Sequence, residues 1–235
     1  AASALEAGSR PELAVLESDA GTVAFPYLVR SVQGSEGLFD LVSAYEFGGL
    51  WFSTDDPARQ QALHLALDES FFAAANARHY VSAFVRVNPC NPFAVHPAAR
   101  HLQPVLHQQH VWADLRQGYP SLAAGYKACF RKNLANALRA GLWIDDHVST
   151  AQFVDLYHAN MRRLQAADYY FFPVSFFDCV RDRLYLFAVR EPSGELAAIH
   201  AYLLDPPVVY AFLCMGVAEK NALRPNNFAY DHLLR

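Results

Sequence analysis

Residues 184–216 read LYLFAVREPSGELAAIHAYLLDPPVVYAFLCMG, and this stretch decides the fold class. Three apolar runs, Leu184–Arg190, Leu196–Leu204 and Val208–Gly216, are separated by Pro192-Ser193-Gly194 and Asp205-Pro206-Pro207. Runs rich in β-branched and aromatic residues form strands, and connections this short join only antiparallel neighbours. The stretch predicts a three-stranded antiparallel meander. C-terminal to it, Val217–Asn227 reads as a loop that leads into a helix from about Asn227 to Arg235. N-terminal to it, Ser121 caps a helix that runs to about Ala140 and stops at Gly141. Leu142–His147 reads as a strand, Ser149 or Thr150 opens a helix to about Gln165, and Pro173 opens another to about Arg181.

The first half has a different rhythm. Gly21–Val32 is a predicted strand and Gly34–Gly37 a turn. Leu38–Phe52 is strand and loop, broken at Gly48-Gly49. Asp56 caps a helix with Pro57 at its first position, and Leu63, Leu67, Phe71 and Phe72 keep the helical period to about Arg78. His79–Val87 is a strand, Asn88–His107 a proline-rich loop, and His110–Leu115 a short strand. The fold class is α+β with mostly antiparallel mixed sheets, in two sub-domains, 1–117 and 118–235. The length of 235 residues is about one and a half typical domains.

Composition narrows the function classes. Hydrophobic residues are 53% and charged residues 18%, which supports a packed core and excludes a disordered tail. The net charge of −4 argues against a protein that coats phosphate, so DNA binding is not expected. No window approaches the ~18 apolar residues of a membrane span, and Ala1–Arg10 has no basic segment followed by an apolar core. The expected location is cytoplasmic, with peripheral membrane contact left open. Cys90, Cys129, Cys179 and Cys214 are too far apart for a CxxC motif and are expected to be buried free thiols.

Several short segments resemble the FemAB-like proteins. They are Asp40-Leu-Val-Ser43-Ala-Tyr45-Glu-Phe47-Gly48-Gly49, Phe84-Val-Arg86-Val-Asn88-Pro89, the basic stretch Tyr126-Lys-Ala-Cys-Phe-Arg131-Lys-Asn133, and Phe153–Tyr170 with Tyr157, Met161 and Arg163. Arg224-Pro225-Asn226-Asn227 completes the set, which spans residues 22–235. The meander, loop and helix of the second half also match the order of the GNAT acyltransferase (acyl-CoA N-acyltransferase) fold. The resemblance is to the peptidoglycan-bridge aminoacyltransferases and their FemAB-like acyltransferase relatives. It implies tandem GNAT-like domains and transfer of an acyl or aminoacyl group to an amine. The implied donor is acyl-CoA or aminoacyl-tRNA, with tRNA then a partner. The implied acceptor is a small molecule or a cell-envelope precursor. The sequence given stops before the strand that would form the other wall of a donor slot, so the second domain is expected to be incomplete.

Amine acylation needs a held donor, a stabilised oxyanion and a proton acceptor. For the donor, the candidates are Gly216, where backbone can approach closely, and Arg224, Asn226, Asn227 and Phe228. In the GNAT loop glycines take left-handed dihedrals, and here the two asparagines are expected to stand in for them. An ordinary Asn-capped helix start is the alternative. For the base, His200, Tyr210 and Glu219 are candidates, each also readable as a structural or solvated group. Arg86, Arg131 and Arg163 are candidates for an anionic group of the acceptor, against simple ion pairing. Tyr45, Phe47, Tyr169 and Tyr170, with Gly48 and Gly49, are candidates to line an acceptor cleft, against core packing. Lys127, Arg131, Lys132 and Arg139 form a basic helical face, open to RNA, anionic lipid or solvent. His96, His101, His107 and His110 lack metal-ligand spacing, and no metal is expected. A catalytically decayed GNAT-like binding or scaffolding module is the competing function.

Overall fold

The computed structural model describes residues 9–45, 47–90, 99–106 and 109–235. The chain is α+β and divides into two compact units, Ala1–His110 and Val111–Arg235.

In the first unit, β1 (Arg10–Ser18) and β2 (Gly21–Ser31) form a hairpin in register from Arg10↔Val29 to Ser18↔Gly21. The strands β3 (Phe39–Val42) and β4 (Trp51–Phe52) both pair with β2, and β5 (Tyr80–Phe84) runs parallel to β3. Between β4 and β5 lies α1 (Pro57–Ala75). The Asp56 carboxylate accepts from the N–H groups of Ala58 and Arg59, which satisfies donors that a helix start leaves open. Leu63 and Leu67 of α1 pack with Val23, Phe25, Tyr27 and Leu41 of the sheet in one core. The strand β1 is an addition to the elements expected. Ala14 and Leu16 point to the core while Leu13 and Val15 stay exposed, so its apolar run is split between two faces. Pairing with β2 defines the strand more than its own periodicity does.

Glu12 of β1 ties this unit together. Its Oε2 accepts from the Tyr27 hydroxyl at 2.8 Å, the Tyr80 hydroxyl at 3.0 Å and the Arg78 guanidinium at 3.1 Å. Its Oε1 accepts from Arg10 Nε at 3.0 Å. Burial alone would raise the Glu12 pKa, but the two phenols and Arg10 outweigh it and hold the carboxyl below its ordinary value. A carboxyl lowered on folding adds stability above its unfolded pKa and loses it as pH falls through the folded one. Glu12→Gln is expected to cost about 1–3 kcal/mol in urea unfolding at pH 7. The gap to wild type should narrow below about pH 4. A gap of the same size at pH 3 would contradict the ionic role.

The second unit begins with α2 (Tyr119–Ala124) and α3 (Ala128–Arg139). One helix was expected over 121–140. Gly125 ends α2, and Lys127 is extended at ψ 151°, so the chain breaks and restarts. The break lets the hydroxyls of Tyr119 and Tyr126 both donate to Asp231 Oδ1, at 2.9 and 3.0 Å. The strand expected at His110–Leu115 does not form. Val111 and Trp112 are exposed there, and Asp114 instead caps a 3₁₀ turn, Leu115–Gln117. Then follow β6 (Trp143–Asp145), α4 (Thr150–Arg163), α5 (Val174–Cys179), β7 (Leu184–Arg190), β8 (Leu196–Asp205), β9 (Val208–Gly216) and α6 (Pro225–Leu234). Ser149 and Gln152 close a reciprocal capping box at the start of α4.

The four strands pair antiparallel in the order β6-β7-β8-β9, so the meander stands as the sequence predicts. Alternation gives the sheet two faces. One carries Phe187, Val189, Ala198 and Tyr202 and packs on Ala137 of α3 and Ala229 of α6. The other carries Ile199, which lines a shallow depression with Gln152, Asp155 and Leu156 of α4. The cysteines depart from expectation. All four are free, but Cys90, Cys129 and Cys179 are exposed and only Cys214 is partly buried. Among the described residues, no helix is long and apolar enough to cross a membrane.

Candidate functional site

The strand register of the meander builds the site. Tyr202 faces Ala211, but a bulge then makes Ala201 face Leu213 and His200 face Cys214. The extra residue is Phe212. Without it, Leu213 rather than Cys214 would lie beside His200 on the α6 face. Gly216 ends β9 on that same face, opposite Ala198. A 3₁₀ segment, Ala218–Leu223, connects it to α6.

Helix α6 starts at Pro225, two residues before the expected Asn227. The left-handed residue is Arg224, at φ 63° and ψ 43°, and neither Asn226 nor Asn227 takes that role. Proline disfavours the right-handed helical region for the residue before it, and it suits the first helical position itself. Asn226 and Asn227 are thereby drawn into the first turn. A Cβ on Gly216 would stand 3.3 Å from Asn221 Oδ1 and 3.4 Å from Asn226 Nδ2, so the glycine is what lets these amides close on the strand end.

Beneath Asn226 runs a buried polar chain. His200 Nε2 lies 3.0 Å from Asn226 Oδ1, and His200 Nδ1 lies 2.9 Å from the Tyr202 hydroxyl. His200 and Tyr202 are both fully buried. The Tyr202 and Tyr230 hydroxyls lie near the Cys214 thiol. Burial pushes the His200 pKa down to about 4, against a smaller opposing effect of the Asn226 bond. The ring is neutral at physiological pH. Burial likewise raises the Tyr202 and Cys214 pKa values and pushes Tyr230 up to about 12.

His200, Gly216 and Asn226 are therefore brought together, while the other two candidate bases, Tyr210 and Glu219, stand apart from this buried chain. His200 is buried with both ring nitrogens engaged, in line with the structural reading of this residue. Tyr210 pairs with Leu203 and so lies on the opposite face of the sheet. Glu219 is exposed in the 3₁₀ segment. Phe228 packs into the core with Leu223 and Ala229 and does not line the strand end. Sequence reading passed over Tyr202, Cys214 and Tyr230. Tyr202 was visible as the residue two past His200, whereas Cys214 needed the bulge.

The remaining candidates form separate groups. In the first unit, the ends of the parallel strands β3 and β5 bring Ser43 and Gly48 to Arg86. Ser43 Oγ accepts from Arg86 N–H at 3.1 Å, and Gly48 N–H donates to the Arg86 carbonyl at 2.7 Å. A Cβ on Gly48 would stand 2.6 Å from Ser43 Cβ, and Gly49 has φ 122°, so both glycines are steric needs of this corner. Tyr45 and Phe47 are half-buried there, and Phe47 meets the His110 ring edge-on at 5.3 Å. In the second unit, Arg131 of α3 donates to the Tyr126 carbonyl. Arg163 donates to Asn160 Oδ1 at 2.9 Å, at the end of α4. The rings of Tyr169 and Tyr170 lie tilted against each other, 4.1 Å apart, in a short 3₁₀ turn. Arg131 and Arg163 sit on helices that cover opposite faces of the sheet. Of the histidine run, His96 and His107 lie outside the described residues, and His101 Nδ1 lies 3.2 Å from Asp68 Oδ2. Among the described residues, no three His, Cys, Asp or Glu side chains gather as a metal site.

No family model matches this chain, and no curated protein matches it. Among solved structures, a crystal structure of FemX aligns with it at a TM-score of 0.65 and 12% identity, covering 97% of this chain and 76% of that one. The chain has the fold of FemX. The likeness to FemX extends over both units, since nearly the whole chain is covered. What individual side chains do follows from the distances above.

Proposed function

We propose that this chain is a FemAB-like transferase of two GNAT-like units. It moves an acyl or aminoacyl group from a CoA thioester or an aminoacyl-tRNA to an amine. The observation that carries this reading is the FemX fold over 97% of the chain. The end of β9 supplies the local support. Gly216 lets the amides of Asn221 and Asn226 close on the strand end, and in the first turn of α6 the Asn226 N–H has no acceptor among the described residues. In this reading the donor carbonyl lies at the strand end, where fixed donors stabilise the oxyanion formed when the amine attacks. The exposed carboxylate of Glu219, three residues past Gly216, takes the ammonium proton. For the acceptor, a cell-envelope precursor is the favoured class.

A second reading, a binding or scaffolding module, is favoured by one observation. The Asn221 and Asn226 side chains already occupy the space that Gly216 leaves. Calorimetric titration with acetyl-CoA and with alanyl-tRNA separates the two readings. The transferase reading expects saturable one-to-one binding of one of them with Kd in or below the ~0.1 mM range, typical of enzyme substrates. Absence of heat with both, for a folded sample, would leave the scaffolding reading standing.

A further inference from the structure

The buried chain beneath Asn226 has a direction. Asn226 Oδ1 can only accept, so His200 Nε2 carries the proton in their 3.0 Å contact. The ring is neutral, so Nδ1 is bare and accepts from the Tyr202 hydroxyl at 2.9 Å. The Tyr202 and His200 protons both point toward Asn226. The series ends at Asn226 Nδ2, which has no protein acceptor among the described residues and would stand 3.4 Å from a Cβ on Gly216.

We infer that His200 is a positioning residue that locks the Asn226 amide so that Nδ2 donates to the acyl carbonyl oxygen of a donor bound at Gly216. This rests on the transferase reading above, and it replaces the role of His200 as a base with a structural one at the same site. An Asn amide turns over easily when unheld, because its two ends are nearly the same size. A buried ring of fixed tautomer removes that freedom. The chain carries no net charge, which suits a carbonyl oxygen that gains charge only during attack. A phosphate would call for arginine or lysine instead. Gly216 completes the arrangement, because a side chain there would push the Asn226 amide off the strand end.

Two measurements test this, and the first needs no donor. Imidazole nitrogen chemical shifts of the free protein are expected to show His200 as the neutral Nε2–H form from pH 8 down to pH 5. An Nδ1–H form would reverse every donor in the series and overturn the inference. The second is transfer from acetyl-CoA or alanyl-tRNA to a model amine. His200→Phe keeps a ring but loses the donor to Asn226, and it should lower kcat about 10- to 100-fold with KM changed less than about twofold. His200→Gln retains a donor near the Nε2 position and should recover most of that loss. Tyr202→Phe, which frees the tautomer, should fall between them. Equal kcat in His200→Phe and wild type, or a loss that His200→Gln does not recover, would overturn the positioning role. Failure of wild type to use either donor would instead reject the transferase reading, and the tautomer would still decide how Asn226 is held.

Discussion

Phe187→Ala is expected to destabilise the second unit by about 3–5 kcal/mol, the range for deleting a fully buried aromatic ring. Phe187 is fully buried in the centre of β7, directly opposite His200. Its ring meets those of His232 at 5.0 Å, His200 at 5.8 Å and Tyr202 at 5.9 Å. The site cannot collapse to fill the space, because its neighbours are held by hydrogen bonds to Asn226 and to one another. The cavity term therefore adds in full to the lost burial. Urea unfolding should show a lower midpoint with little change in slope. Water entering beside His200 should also raise its pKa from about 4 toward the ordinary value. A loss below about 1 kcal/mol would mean that this core is not packed as described.

Gly216→Val should abolish measurable donor binding or weaken it at least about 100-fold, equivalent to roughly 2.8 kcal/mol. The Cβ position alone is within 3.5 Å of three side-chain atoms of Asn221 and Asn226. Two γ carbons beyond it must displace Asn226, and with it the amide that faces the strand end. Overpacking should cost the fold about 1–3 kcal/mol, so the variant must be checked for cooperative unfolding first. Gly216→Ala gives the graded comparison. It needs shifts of only a few tenths of an ångström and should reduce affinity far less. Titration of both variants with acetyl-CoA and alanyl-tRNA measures the effect, and unchanged affinity in Gly216→Val would remove β9 from the donor site.

The fold was legible wherever a local device marks it. The turns at Pro192-Ser193-Gly194 and Asp205-Pro206-Pro207 gave the meander. Asp56-Pro57 and Ser149 gave the starts of α1 and α4. The sequence was misleading where tertiary partners decide. Strand β1 depends on β2 for its definition, and the break at Gly125 serves a carboxylate about a hundred residues away, Asp231. The site was half legible. Gly216, Asn226 and His200 were each visible as candidates, because a strand-end glycine, a loop amide and a strand histidine stand out by type. Their connection was not visible. The bulge at Phe212 chooses which residue of β9 faces His200, and no residue type announces a bulge. Nor does a sequence show burial, which turned His200 from a candidate base into a neutral ring with both nitrogens engaged.

The most direct test is the amide spectrum of the protein titrated with acetyl-CoA and with alanyl-tRNA. The expected result is a set of saturable shifts centred on Gly216, Val217, Asn221 and Asn226–Phe228, with the Asn226 side-chain amide among the largest. Shifts confined to other residues, or none with either donor, would contradict a donor site at the end of β9.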